Sequence, residues 1–335
     1  MRFHALLPVR DEGDIIKRSL LALLAWADSV TVFDTGSIDD TWQIVHDVAT
    51  SDPRVIPLAR QSIYFNDKLV RSFLFHHARE RMRDGDWFVR VDADEFHHIP
   101  PPEFVKNFLR PHETVAYHQY YDFRLLQSEV EAWERGEETL DDRSRPIEER
   151  RQHYTLSVYA EPRLCRYRST MRWPETVSFP FNAGFVARER LPIRHYPHRD
   201  PVQMERRCRL RAIMMADKEN RSNWSRPELH HWAEREWRKF ITRDDLPELK
   251  TWKPGTDLPL GQQLNHLRSP YIRAMQRMIH AYCLPVLDRR RAAFSAETRP
   301  QPIPPEILQE LEKELRVERA SGGSLVRIQP MNSPS

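Results

Sequence analysis

The feature that most constrains the fold is an alternation in the first hundred residues. Apolar runs of strand length alternate there with longer segments of helical period. Phe3–Val9 reads as a strand ending at Pro8, and Ser29–Phe33 and Val55–Leu58 are two more. Trp87–Val91 is a fourth, running into Asp92. Between them, Asp14–Ala27, Thr41–Ala49 and Asp67–Met82 place apolar residues at helical spacing. Strand–helix alternation of this kind predicts an α/β domain with a parallel sheet and crossover helices. Ligands of such sheets sit outside the carboxyl ends of the strands. Three polar clusters fall there: Pro8–Glu12, Asp34–Asp39 and Asp92–Glu95. The expectation is that they meet at one rim.

Glycine usage narrows the kind of rim. The chain has 9 glycines in 335 residues, well under the roughly 7% of average usage. No two of them form a G-x-G-x-x-G fingerprint, a phosphate-cradling P-loop or a G-x-S-x-G elbow. A nucleotide bound here is held without a glycine cradle. The formal net charge is +3 and no block of five like charges occurs, so nothing demands a nucleic acid. Cys165, Cys208 and Cys283 form neither a disulfide framework nor a C-x-x-C metal pair. The longest apolar run, Ser19–Ala27, is far short of the about 20 residues a membrane span needs. The N-terminus has no export-signal pattern. These features point to a cytoplasmic protein.

Asp92-Ala93-Asp94-Glu95 is the sharpest motif. Two carboxylates one residue apart after a strand suit a hard divalent cation that also takes phosphate oxygens. D-x-D alone is weak, since chance supplies roughly one copy in a chain of this length. Its context adds to it: an apolar strand leads in and Phe96 follows.

With that context the chain resembles the family 2 glycosyltransferases. The resemblance rests on four stretches in order: Pro8-Val9-Arg10-Asp11-Glu12, Trp26-Ala27-Asp28, Val32–Thr41 (VFDTGSIDDT) and Asp86–Glu95 (DWFVRVDADE). A fifth stretch, Arg194-His195-Tyr196-Pro197-His198-Arg199, is similar to a segment of a bacterial subgroup that modifies cell-surface polysaccharides. The likeness covers about residues 1–215.

The resemblance implies a GT-A fold, in which a nucleotide-binding mixed sheet flanked by helices occupies 1–218. Its donor half would be about 1–125 and its acceptor half 126–218. Residues 219–319 would add a mainly helical extension and 320–335 a disordered tail. The implied reaction is an inverting, metal-dependent transfer of a sugar from a nucleotide-diphosphate sugar to a hydroxyl. The acceptor would be a cell-surface glycan or a lipid-linked precursor, reached by peripheral contact at the inner membrane face. By motif match, Pro8, Val9, Arg10, Glu12, Asp34, Gly36, Arg71, Asp92 and Ala93 would contact the donor. Asp92, Asp94 and His195 would hold Mn²⁺ or Mg²⁺. The general base would be Glu175, in the Arg172–Phe179 window, or Asp122.

Two alternatives stand beside this one. The first is a nucleotide-sugar-binding protein whose catalytic base has degenerated. The second is a sugar nucleotidyltransferase, which the single Gly13 in the opening loop disfavours. Other features read more plainly. Arg206, Arg207, Arg209 and Arg211 on one helix are either a phosphate-binding row or, preferably, a solvated face. Glu129–Arg151 reads as a solvated loop or frayed helix, and His198 as a surface or acceptor-side residue. The adjacent pairs His76-His77, His97-His98 and His230-His231 lack ligand spacing.

Overall fold

The structure, a computed structural model, describes residues 1–64, 66–181, 183–216, 237–263, most of 274–286 and 302–320. The strands are β1 Phe3–Val9, β2 Ser29–Asp34, β3 Val55–Arg60, β4 Trp87–Arg90, β5 Glu95–His97, β6 Glu113–Phe123, β7 His153–Leu156, β8 Pro162–Arg166, β9 Phe185–Val186, β10 Glu189–His195, β11 Lys250–Thr251 and β12 Gly261–Gln262. The helices are α1 Ile16–Leu24, α2 Thr41–Ser51, α3 Asp67–Ala78, α4 Pro101–Phe108, α5 Gln127–Glu134, α6 Ile147–Arg150, α7 Pro201–Ala216 and α8 Pro305–Ala320.

The predicted α/β half is present. β3, β2, β1 and β4 are parallel neighbours in that order. Antiparallel β8 and β6 extend the sheet beyond β4. Every residue of β1 and β2 is buried, as expected of parallel strands covered on both faces. The two-residue period decides which cover each side chain meets. Phe3, Ala5, Leu7, Val30, Val32 and Val89 enter the core under α1 and α2. Leu6, Phe33 and Phe88 point the other way, onto Val70, Leu74 and Phe75 of α3 and onto Trp173. α1 is an amphipathic helix whose Ile16, Leu20, Leu23 and Leu24 are buried. It is shorter at both ends than the apolar pattern suggests.

β5, α4 and β10 were not expected. β10 lies between β5, antiparallel, and β6, parallel. The charged residues of its Glu-Arg-Leu-Pro-Ile-Arg-His sequence mask the buried Leu191 and Ile193. Residues 237–263, expected in a helical extension, add β11 and β12 to the sheet edges. They also bury Trp252 and Leu258 in the main core. α8 packs against α7 through Ile303, Ile307 and Leu308 around Leu210, Ile213 and Met214. Of the expected tail 320–335, Ala320 ends α8 and the rest lies outside the described residues, as do Trp224, Trp232 and His230-His231.

Of the two readings of 129–151, the helical one holds, although the segment is not solvated throughout. It forms α5, a 3-10 turn at Leu140–Ser144 and α6. Arg150 and Arg151 are buried, with Glu138 accepting from Arg150 at 3.1 Å and from Arg151 at 2.9 and 3.1 Å. Arg143 binds buried Asp200 at 2.8 and 3.0 Å. Part of the charge that made the segment look exposed is thus neutralised inside, while Glu131, Glu134, Arg135 and Glu137 stay at the surface.

Half-buried His97 and buried His118 lie with their Nε2 atoms 3.3 Å apart. Burial, with Arg163 nearby, lowers His97 to about 3 and His118 well below its ordinary value. The unfolded chain therefore binds protons that the folded chain refuses, and stability falls as pH drops below about 6.5. At pH 5.5 the two rings together should remove roughly 3 kcal/mol by this linkage. His118→Asn should flatten the urea-unfolding free energy between pH 7 and 5.5. An unchanged slope in the variant would contradict the account.

Candidate functional site

A cavity of about 1470 Å³ opens at the carboxyl ends of the parallel strands, between the turns after β1, β2 and β4 and the amino-terminal part of α7. Pro8, Val9, Arg10, Asp11, Glu12 and Asp14 line it from the β1 turn, and Thr35, Asp39 and Asp40 from the β2 turn. Asp92, Ala93, Asp94 and Glu95 line it after β4. The three polar clusters therefore do meet at one rim.

The first turn is held in an uncommon shape. Asp11 has φ 54°, a left-handed conformation that Asp tolerates better than most residues. Its N–H donates to Ser37 Oγ at 2.9 Å, and its carboxylate accepts from Ile38 N at 2.8 Å and from Arg206 at 3.0 Å. Asp34 and Gly36, expected as donor contacts, are not on the cavity wall. Asp34 is wholly buried and caps the second turn, accepting from Gly36 N at 2.8 Å and Ser37 N at 2.6 Å. Gly36 has φ 106°, and a Cβ there would lie 2.6 Å from Ser62 Cα. Both residues shape the turn that presents Thr35 and Asp39.

The two D-x-D carboxylates differ in their partners. Asp92 accepts from Arg71 at 3.0 and 3.1 Å and from Arg163 at 3.1 Å. Burial opposes ionisation, but the two guanidinium groups overcome it and hold Asp92 well below the usual carboxylate range. Arg71 also pairs with Asp67, and Arg163 with Glu95 and Glu161. Asp94, only 4% exposed, has His195 Nε2 at 3.7 Å, Arg207 at 3.7 Å and Arg199 at 3.9 Å. These are ion-pair distances, beyond a normal hydrogen bond.

His195 closes β10. Its Nδ1 lies 2.7 Å from Asp122 Oδ1. Burial alone would lower the ring, yet Asp94 and the Asp122 hydrogen bond raise it to about 9. Of the two base candidates, Asp122 is on the cavity wall and Glu175 is not.

Several wall residues were missed or misjudged. Arg206, Arg207 and Arg211 line the cavity. Arg206 binds Asp11 at 3.0 Å and Asp39 at 3.3 Å, so this row is not a solvated face. Arg209, paired with Glu205, points elsewhere. His198 is buried beside Phe240. Tyr120, Tyr159, Glu161 and Arg163 form the far wall, where both tyrosine hydroxyls donate to Glu161 at 3.0 Å. Arg163 and Arg90, working against burial, push Glu161 down to about 2.

Among the described residues, no three His, Cys, Asp or Glu side chains converge as a ready-made metal cage. Asp94 and His195 supply two facing donors, one oxygen and one nitrogen. That set suits an ion that completes its coordination with water and substrate phosphates.

A parallel α/β half with acidic turns gathered at one mouth, joined to a mixed sheet that carries the far wall, has the layout of a GT-A fold. Residues 5–162 match the family model for glycosyl transferase family 2. The match covers just under half of the chain and runs from within β1 to the start of β8. Solved structures with local similarity include a mannosyltransferase from Pyrobaculum calidifontis in complex with GDP-Man and Mn²⁺. It is 17% identical over 38% of this chain and 36% of its own, with a TM-score of 0.28. A glucosyl-3-phosphoglycerate synthase from Mycobacterium tuberculosis, in complex with Mn²⁺, UDP and phosphoglyceric acid, is 18% identical over 39% and 45%, with a TM-score of 0.24. The matches thus span less than half of these solved chains. No curated protein sequence matches the chain.

Proposed function

We propose that the protein transfers a sugar from a nucleotide-diphosphate sugar to an acceptor hydroxyl, with inversion, using a divalent cation held by Asp94 and His195. The observation that carries this reading is the pair itself. Two donors of different chemistry face each other across 3.7 Å on the cavity wall, directly after a parallel strand. When bound, Mn²⁺ or Mg²⁺ would stabilise the charge of the departing diphosphate without moving a proton.

The chain's own residues supply the rest. The Pro8–Glu12 turn flanks the base and ribose of the donor. Arg206 and Arg207 bring positive charge from α7 toward the diphosphate, acting as preorganised fixed charges. Arg71 and Arg163 hold Asp92 in place beside the metal-binding carboxylate. The far wall, with Tyr120, Tyr159 and Glu161, offers an aromatic and hydrogen-bonding surface for a hydroxyl-rich acceptor. The cavity is larger than the roughly 300–1,000 Å³ of an ordinary single-ligand cleft, which suits two substrates. No helix among the described residues is long and apolar enough to cross a membrane. An acceptor that is a lipid-linked or cell-surface glycan would be met by peripheral contact at the cytoplasmic face.

Thermal unfolding in the presence of single nucleotide-sugars tests this. A ligand at a hundred times its dissociation constant stabilises by about 2.7 kcal/mol. One nucleotide-sugar should therefore raise Tm by several degrees with Mn²⁺, and EDTA should remove most of that rise. If no nucleoside diphosphate or nucleotide-sugar shifts Tm with or without Mn²⁺, the proposal fails. Release of pyrophosphate from a sugar phosphate and a nucleoside triphosphate would favour a nucleotidyltransferase instead.

A further inference from the structure

Asp122 has two conceivable duties on the cavity wall: to take the acceptor's proton, or to hold His195. The strand register bears on the choice. In the parallel β6–β10 ladder Asp122 is the Cα partner of His195, and in the antiparallel β5–β10 ladder His195 is the partner of Glu95. Partnered residues point to the same face of a sheet. The backbone therefore places the imidazole against the Asp122 carboxylate, with Asp94 one residue before Glu95 on the opposite side.

The side chains use that placement. Asp122 Oδ1 receives the His195 Nδ1–H at 2.7 Å, a short bond of the charge-assisted kind. With Nδ1 committed as donor, Nε2 is the atom presented to Asp94 at 3.7 Å. Tyr120 packs edge-on against the imidazole with centroids 5.7 Å apart, which limits ring rotation. The other Asp122 oxygen faces Arg124 at 3.4 Å. A general base needs an oxygen within hydrogen-bond reach of the acceptor's proton, whereas the best-placed oxygen of Asp122 is engaged with the ring.

We infer that Asp122 is a positioning residue. It holds Nδ1 as the donor and fixes the ring orientation of His195, so that Nε2, giving up its proton to solvent as the cation binds, and Asp94 form one two-donor site. The inference rests on the cation reading proposed above and removes Asp122 from candidacy as the base. A carboxylate behind a metal-binding histidine is typically worth 10–100-fold in metal affinity.

Calorimetric titration of the intact protein with Mn²⁺, in the presence of a nucleoside diphosphate, reads the effect directly. Asp122→Ala should weaken Mn²⁺ binding 10–100-fold. Asp122→Asn should lose less, because its amide oxygen still accepts from Nδ1–H. The Asp122→Ala/His195→Ala double variant should bind no more weakly than His195→Ala alone, since the two act as one unit. A second readout needs no metal. The hydrogen-bonded Nδ1 proton of His195, assigned by its absence in His195→Gln, should give a downfield, exchange-protected NMR signal. That signal should vanish in Asp122→Ala and persist in Asp122→Asn.

Asp122→Ala with wild-type Mn²⁺ affinity and lost turnover would overturn this inference alone and return Asp122 to the role of base. The same holds if the Nδ1 signal survives in Asp122→Ala. Failure of the wild-type protein to bind Mn²⁺ at all would overturn the cation reading, and this role with it.

Discussion

Asp94→Asn should lower sugar transfer by on the order of 10³-fold and leave urea unfolding nearly unchanged, while Asp92→Asn should show the reverse emphasis. The difference follows from what each carboxylate touches. A catalytic cation contributes several kcal/mol of transition-state stabilisation, and each 1.36 kcal/mol is tenfold in rate. The Asp94 carboxylate has cations at 3.7–3.9 Å. Its replacement leaves Arg199 on Asp14 and Glu12, Arg207 on the Pro197 carbonyl and His195 on Asp122. The fold keeps its ion pairs, so the loss falls on cation binding.

Asp92 is different. It joins Arg71 and Arg163, two buried arginines that reach it from separate elements. Neutralising it weakens two charge-assisted bonds of a carboxylate that is itself about a third exposed (32%) on the cavity wall. Breaking a buried pair by removing one partner costs about 3–5 kcal/mol. The exposure of Asp92 and the remaining partners of Arg71 and Arg163, namely Asp67, Glu95 and Glu161, place the expected loss below that range, at about 1–2 kcal/mol. Mn²⁺ affinity, unfolding free energy and transfer rate measured on both variants check the pattern. Equal loss of Mn²⁺ affinity in the two would mean that both carboxylates hold the ion and that the arginines let Asp92 go.

The donor half was legible because its signals are local. Strand and helix periods differ, and acidic turns directly follow apolar strands, so Asp92, Asp94 and the Pro8–Glu12 turn could be located from the sequence. The far wall was not legible. β10 hides two buried aliphatic residues among charges, and His195 meets Asp122 across 73 residues of sequence. Arg206 and Arg207 looked solvated because their partners lie far away in the chain: Asp11 is 195 residues from Arg206. Charge is visible in a sequence, but the carboxylate that will neutralise it is not. Asp34 and Gly36 show the converse limit. Their motif was recognisable, yet the carboxylate is spent on capping its own turn. Glu175 fell in the expected window after the D-x-D, but the fold carries it off the cavity wall.

Arg199→Met should be the most destabilising of the substitutions considered, and it should abolish nucleotide binding as well. Arg199 is 1% exposed. It donates to Asp14 at 2.6 and 2.9 Å, to Glu12 at 2.5 Å and to the Tyr196 carbonyl at 3.2 Å. It thereby ties the turn between β1 and α1 to the segment that leads from His195 into α7. Methionine fills much of the volume but leaves Glu12 and Asp14 without their buried cation, at a cost of about 3–5 kcal/mol. Lysine at this position should recover only part of the loss, since an ammonium cannot reproduce the planar fork that grips Asp14 through two nitrogens. The strongest check is compensation. Replacing a whole buried ion group by neutral side chains is far cheaper than orphaning one half of it. Arg199→Met combined with Glu12→Gln and Asp14→Asn should therefore regain most of the lost unfolding free energy, measured in urea. Nucleoside diphosphate affinity should not return with it, because the turn would be folded but no longer fixed against α7. A triple variant as unstable as Arg199→Met alone would show that the arginine acts through packing and not through its carboxylates.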